Sequence, residues 1–123
     1  MSETKSIGDF GESRAALFLQ EQGLQIVARN YRTRRGELDI VARDGQTWCF
    51  VEVRLREDAR YGSPLETVRH QKQRRIYYAA MEFLIRNKYR LNASACRFDV
   101  ISIERENRKI TWIRNAFTGF DGL

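Results

Sequence analysis

The chain has 123 residues, 42% of them hydrophobic and 31% charged, with a single proline among them (1 Pro). That length suits one domain over residues 1–123, large enough to bury roughly two thirds of its unfolded surface, and the composition argues against disorder. The formal charge of +6 favours an anionic partner, nucleic acid ahead of a membrane surface.

The N-terminal MSETKSIGDFGES lacks the apolar h-region of a signal peptide, and no run approaches the ~18 apolar residues of a membrane helix. No membrane partner and a reduced cytoplasm are therefore expected. Cys49 and Cys96 both fall in apolar β-type runs and are expected as buried free thiols.

Ser6 and Asp9 resemble a capping box and predict a helix from there to about Gln22, stopped by Gly23. Ile7, Gly11, Ala15, Ala16, Phe18 and Leu19 fall on one arc at helical spacing, and Glu12 falls inside that arc. Either Glu12 reaches out to water or an arginine, or it points inward and needs a cation, since a bare buried carboxylate costs several kcal/mol. Leu24 to Arg32 reads as an outer strand by the alternation of Leu24, Ile26 and Ala28. The loop Arg32-Thr33-Arg34-Arg35-Gly36 then offers clustered arginines suited to phosphate contact, or is an ordinary basic loop.

Gly36 to Arg54 (GELDIVARDGQTWCFVEVR) reads as a β-hairpin turning at Asp44-Gly45. Pairing Arg43 with Gln46 places Asp39 opposite Phe50 and Glu37 opposite Glu52. Strand alternation puts Glu37, Asp39, Glu52 and Arg54 on one face with Trp48 and Phe50. Charged groups on the aromatic face of a central hairpin make a poor core and a plausible site.

Past Arg54 the chain turns polar, and Ser63-Pro64-Leu65-Glu66 gives a helix start with Ser as N-cap, Pro at N1 and Glu at N3. The first turn breaks near His70, or one helix continues. From Gln71 to Lys88 the helix is clear, with Ile76, Tyr77, Ala80, Phe83 and Leu84 as its apolar face, Gln73 inside that face and Lys72, Arg74 and Arg75 at its flanks. Cys96–Glu104, a turn around Glu106-Asn107 and Lys109–Arg114 read as a second hairpin, and Phe117 packs in the tail. The order helix, three strands, helix, two strands predicts an α/β sandwich around a mixed sheet.

Nucleotide-loop motifs, HExxH and CxxC are absent, and the lone His70, in a basic run, reads as a surface residue. The carboxylates are the better lead. Two like charges ~4 Å apart repel by about 4 kcal/mol at an effective dielectric near 20, so Asp39, Glu52 and Glu12 need something positive between them. Mg²⁺ or Mn²⁺ suits such oxygen ligands and would direct a water at a phosphodiester. The other reading is that Arg54 and its neighbours neutralise the acids as ion pairs.

These residues resemble a known pattern. Glu12, Gly36-Glu37-Leu38-Asp39 and Glu52-Val53-Arg54 look like a PD-(D/E)XK nuclease core, and the blocks GELDIVARDG, FVEVR, RYGSPLETV, KQRR, RFDV and NAF are similar to the YraN-type group of small bacterial proteins, which resemble archaeal Holliday junction resolvases. The resemblance implies a restriction-endonuclease-like αβββαβ core, a mixed central sheet flanked by helices. It implies a metal-dependent endonuclease that hydrolyses phosphodiester bonds in branched or structured DNA. Asp39 and Glu52 would ligate Mg²⁺ or Mn²⁺, the Val53 carbonyl would be a third ligand, and Glu12 would complete the cluster directly or through water. Gln73, with Tyr77, is similar to the Gln-x-x-x-Tyr element of related exonucleases. Arg54 stands where that pattern has lysine, and a guanidinium cannot serve as a base.

The expected catalytic set is thus Glu12, Asp39, Glu52, Arg54 and Gln73, and the expected nucleic-acid contacts are Arg32, Arg34, Arg35, Arg56, Lys72, Arg74 and Arg75. Family analogy adds a homodimer. The alternative is a non-catalytic nucleic-acid-binding or interaction module that keeps the fold. RNA binding is a weaker third reading, without an evident aromatic platform.

Overall fold

The computed structural model describes residues 3–56, 70–87 and 95–117. Helix α1 (Glu3–Glu21) leads into strands β1 (Gln25–Arg32), β2 (Glu37–Asp44) and β3 (Thr47–Arg56). Helix α2 (His70–Arg86) and strands β4 (Cys96–Glu104) and β5 (Ile110–Phe117) follow. The strands form one sheet in chain order. All neighbours are antiparallel except β3 and β4, which run parallel. A parallel neighbour cannot be reached through a tight turn, so the chain crosses over by way of α2. The expected mixed sheet with two helices is the observed one.

Strand alternation sorts the core into two layers. Ile40, Ala42, Cys49, Val51, Ile101 and Ile103 pack with Ala15, Ala16 and Leu19 of α1. Val41, Trp48, Phe50, Phe98 and Val100 pack with Ile76, Ala79, Ala80, Phe83 and Leu84 of α2. The helices therefore cover opposite faces, and the almost unbroken apolar run from Trp48 to Val53 is that of a strand buried on both sides. Phe83 anchors the α2 layer, with the rings of Tyr31 and Trp48 each 5.3 Å away in edge-to-face contact.

Several boundaries differ from expectation. Helix α1 begins at Glu3, so Ser6 lies within it and is not its N-cap; nothing in Glu3–Ser6 breaks a helix, and the Ser-x-x-Asp pattern lacks the usual Glu or Gln. Its C-terminus closes with Leu24 N–H on Leu19 O and Gly23 N–H on Gln20 O, both 3.0 Å, the paired bonds of a Schellman motif. β1 is an edge strand, but a bulge between Ile26 and Ala28 interrupts its alternation. Ile26 consequently packs on the α1 side and Ala28 on the α2 side.

Helix α2 ends at Arg86, where the Asn87 side-chain amide donates to Phe83 O at 2.8 Å. The Ser63–Glu66 helix start and the polar loop before it lie outside the described residues. Cys49 is buried and Cys96 is exposed, a correction to the expected pair of buried thiols; Cys96 is the first residue of β4 and lies at the sheet's end. Among the described residues no helix is long and apolar enough to cross a membrane.

A charged network locks β4 to β5. Asp99 is fully buried, and its carboxylate accepts from Arg97 Nε at 3.1 Å, Trp112 Nε1 at 3.0 Å and the Asn115 N–H at 2.9 Å. Arg97 also reaches Asp44 at 3.0 Å. The β4–β5 register shifts between Phe98 and Val100, at Asp99 itself, and Asn115 takes φ +51 opposite it. The bulge turns the Asn115 N–H toward the carboxylate, and β5 runs on to Phe117, past the expected end at Arg114.

Candidate active site

The β2–β3 hairpin organises the site, with a corrected register. Asp44 pairs with Thr47 and Ile40 with Val51, so the turn residues are Gly45-Gln46 and not Asp44-Gly45. Gly45 has φ +62, the left-handed value that a II′ turn requires at its first central position. Over Ile40–Asp44 each β2 residue therefore faces the β3 residue two positions further on than expected, and Asp39 and Glu52 lie just beyond the last pair, Ile40 with Val51. The Asp39 and Glu52 carboxyls meet there, side chain to side chain.

Asp39 also sits where β2 loses its alternation. Leu38 packs with the α2-side layer, while Ile40, two positions on, packs with the α1-side layer. Across the break the Asp39 carboxylate turns to the β3 backbone, and the Val53 N–H donates to Oδ2 at 2.9 Å. Asp39 is 9% exposed and Glu52 4%. Burial, and next the charge of Glu52, push the Asp39 carboxyl up to about 7; the Val53 N–H and the Lys72 charge pull it back. Two adjacent buried carboxylates thus hold a proton that free carboxylates would have lost.

Two cations reach Glu52. The Lys72 ammonium, from the first turns of α2, makes an ion pair with Oε1, and Arg54 Nε lies 3.8 Å from the same oxygen. Lys72 was expected only as a phosphate contact, with Gln73 as the inward-facing residue. The helix line through Lys72, Ile76, Ala79 and Phe83 is what faces the sheet here, and Gln73 is half-buried beside it.

Beside the carboxylates opens a cleft of about 760 Å³ lined by Arg32, Thr33, Arg34, Arg35, Gly36, Glu37, Arg54, Gln71, Lys72, Arg75 and Ile76. Its walls are the β1–β2 loop and the start of α2. The loop is held by its own hydrogen bonds: Thr33 N–H donates to Gly36 O at 2.8 Å, and Thr33 Oγ1 accepts from the Arg35 and Gly36 N–H groups. Gly36 lies against α2 so closely that a Cβ there would come 2.3 Å from Arg75 O. Only glycine permits that approach, and it fixes the arginines of the loop over the helix. Glu37 is exposed and paired with Arg32 at 3.3 Å, at the rim and away from the carboxylate pair.

Of the expected nucleic-acid contacts, Arg32, Arg34, Arg35, Lys72 and Arg75 line the cleft. Arg56 does not; it is 7% exposed, at the end of β3 beside Glu104, and is withdrawn from any large ligand. Arg74 is exposed on α2 outside the cleft lining, as one position along a helix turns a side chain by about 100°. Thr33 and Gln71 join the lining without having been expected there. Glu12 is half-buried on α1. Among the described residues no three His, Cys, Asp or Glu side chains are grouped to hold a metal. His70 is exposed, as expected.

Comparison with known proteins places the chain. The family model described as "Uncharacterised protein family UPF0102" matches residues 11–103, which include the whole of the site. The chain belongs to the UPF0102 family. A UPF0102 protein of Chromohalobacter salexigens is 47% identical over 111 residues, covering 89% of this chain and 88% of its own length. A UPF0102 protein of Idiomarina loihiensis is 41% identical, over 89% of this chain and 95% of that protein. One from Legionella pneumophila is 41% identical, over 93% and 96% respectively. The expected YraN-type membership is the UPF0102 assignment.

Proposed function

We propose that this UPF0102 chain is a metal-dependent endonuclease of the PD-(D/E)XK kind, acting on branched or structured DNA. The observation that carries the reading is the Asp39–Glu52 pair: two buried, adjacent carboxylates beside a cleft walled with arginines. The order helix, three strands, helix, strand agrees with the restriction-endonuclease-like core.

The donor set fits Mg²⁺ or Mn²⁺. Hard divalent cations take oxygen ligands, and Mg²⁺ commonly uses only one or two carboxylates with waters and a phosphate, so the pair suffices without Glu12. A cation there would also offset the burial and the Glu52 charge that together push the Asp39 carboxyl up to about 7. Asp39 and Glu52 would hold it, with the Val53 carbonyl as a third ligand. Such a cation, when bound, polarises the phosphate and makes a water nucleophilic near neutral pH.

The chain's own residues position the substrate. A guanidinium is no general base, and the place of Arg54 in the cleft suits it to clamp a phosphate oxygen and offset the charge growing there. Arg32, Arg34, Arg35 and Arg75 hold flanking phosphates, contacts that read backbone and not sequence. Among the described residues no aromatic ring lines the cleft, which favours shape over base stacking as the basis of recognition.

The test is incubation with a four-way junction, flaps, single strands and plain duplex, with Mg²⁺, Mn²⁺ or chelator. Metal-dependent cutting abolished by Asp39→Ala is expected, and failure on every substrate rejects the reading. One observation favours a second: Lys72 and Arg54 already neutralise Glu52 as an ion pair. That reading is a non-catalytic binding module, and it requires junction binding with no cutting in any metal.

A further inference from the structure

Lys72 is the part of the site that neither the strand pattern nor the cleft chemistry requires to be where it is. Its side chain is 40% exposed, and its ammonium pairs with an oxygen of Glu52, which is 4% exposed. Ammonium is strongly hydrated, so holding it here draws on the negative charge buried with the carboxylate pair. Lys72 also lines the arginine-walled cleft, so the same side chain stands between an acid site and an anion site.

A divalent cation on Asp39 and Glu52 would compete for the oxygen that Lys72 holds and would repel its charge. We infer that Lys72 is a resident counter-cation, which steadies Glu52 while no metal is bound and is transferred to the substrate phosphate when metal takes its place. The inference rests on the metal reading proposed above. Metal and phosphate binding then reinforce one another, because each draws on the displacement of the same ammonium, and the coupling is reciprocal.

Calorimetric titration of the full chain with Mn²⁺, without DNA, tests the first half. Lys72→Met keeps the length and removes the charge; it is expected to bind Mn²⁺ about tenfold more tightly than wild type. Lys72→Arg keeps the competitor and is expected to match wild type. Equal or weaker binding by Lys72→Met overturns the inference, as does equal tightening by both variants. Junction affinity, measured with Ca²⁺ and with chelator, tests the second half. Lys72→Met should weaken it about threefold with Ca²⁺, since one phosphate contact is lost, and leave it unchanged with chelator. Equal loss in both overturns the transfer. Mn²⁺ binding by neither wild type nor Lys72→Met removes the metal site and the nuclease reading with it. Equal binding by both removes only the role of Lys72.

Discussion

The molecule buries acids in two neighbouring places and treats them in opposite ways. Asp99, whose register partner across the sheet is Val51, has Arg97, Trp112 and the Asn115 N–H on its two oxygens. Asp39 and Glu52 have one backbone N–H, each other, and cations that reach in from an open cleft. A buried carboxylate surrounded by dedicated donors is part of the fold. A buried pair left short of donors is a place the fold keeps at a cost, and such places are where ligand chemistry is found.

The largest expected effect tests the structural half of this contrast. Asp99→Ala leaves the half-buried guanidinium of Arg97 with Asp44 as its remaining carboxylate partner among the described residues and removes the partner of the β5 bulge. Breaking a buried ion pair from one side costs about 3–5 kcal/mol, which urea unfolding would read as a large fall in midpoint. A cost under about 1 kcal/mol would mean that Asp99 is not the structural acid argued here.

Asp39→Asn should move stability the other way. The folded carboxyl titrates near 7 against 3.8 for the free group. Below pH 3.8 both states hold the proton and Asn gains nothing. Between the two values only the folded state holds it, so wild-type stability falls as pH rises, and the loss is complete above about 7. Asn mimics the protonated acid and escapes that loss. In chelator its advantage should grow from none near pH 4 to on the order of 1–3 kcal/mol at pH 8. A thermal melt series that shows Asp39→Asn less stable than wild type at pH 8 would place Asp39 with Asp99 as a structural acid.

How far the sequence disclosed this contrast depends on the residue. The element order and the two-sided burial of β3 follow from periodicity, which a two-residue slip leaves intact. The slip arose because Asp-Gly signals a turn without saying which central position the glycine takes, and Gly45 takes the first. Lys72 and Gln73 differ by one helix position, and a helical projection cannot resolve which of two neighbours meets the sheet. Arg56 looked like a surface cation because charge is legible in sequence and burial is not. The Asp99 network was invisible for a further reason: its donors come from two strands and a bulge, so it exists only after β4 and β5 have paired.

The smallest effect separates the two kinds of cation that accompany these acids. Arg97 is half-buried and bonded to two acids, whereas Arg34 is exposed on the cleft wall. Arg34→Ala should therefore change stability by no more than about 0.5 kcal/mol. Its consequence lies in binding: affinity for any DNA should fall to a similar degree irrespective of sequence, and the slope of log K against log salt should shrink by about 1. Arg74→Ala, outside the cleft, should leave that slope nearly unchanged and serves as the control. Equal slopes for Arg34→Ala and wild type would detach the cleft from nucleic acid, and the carboxylate pair would then need a different anionic partner to explain the arginines beside it.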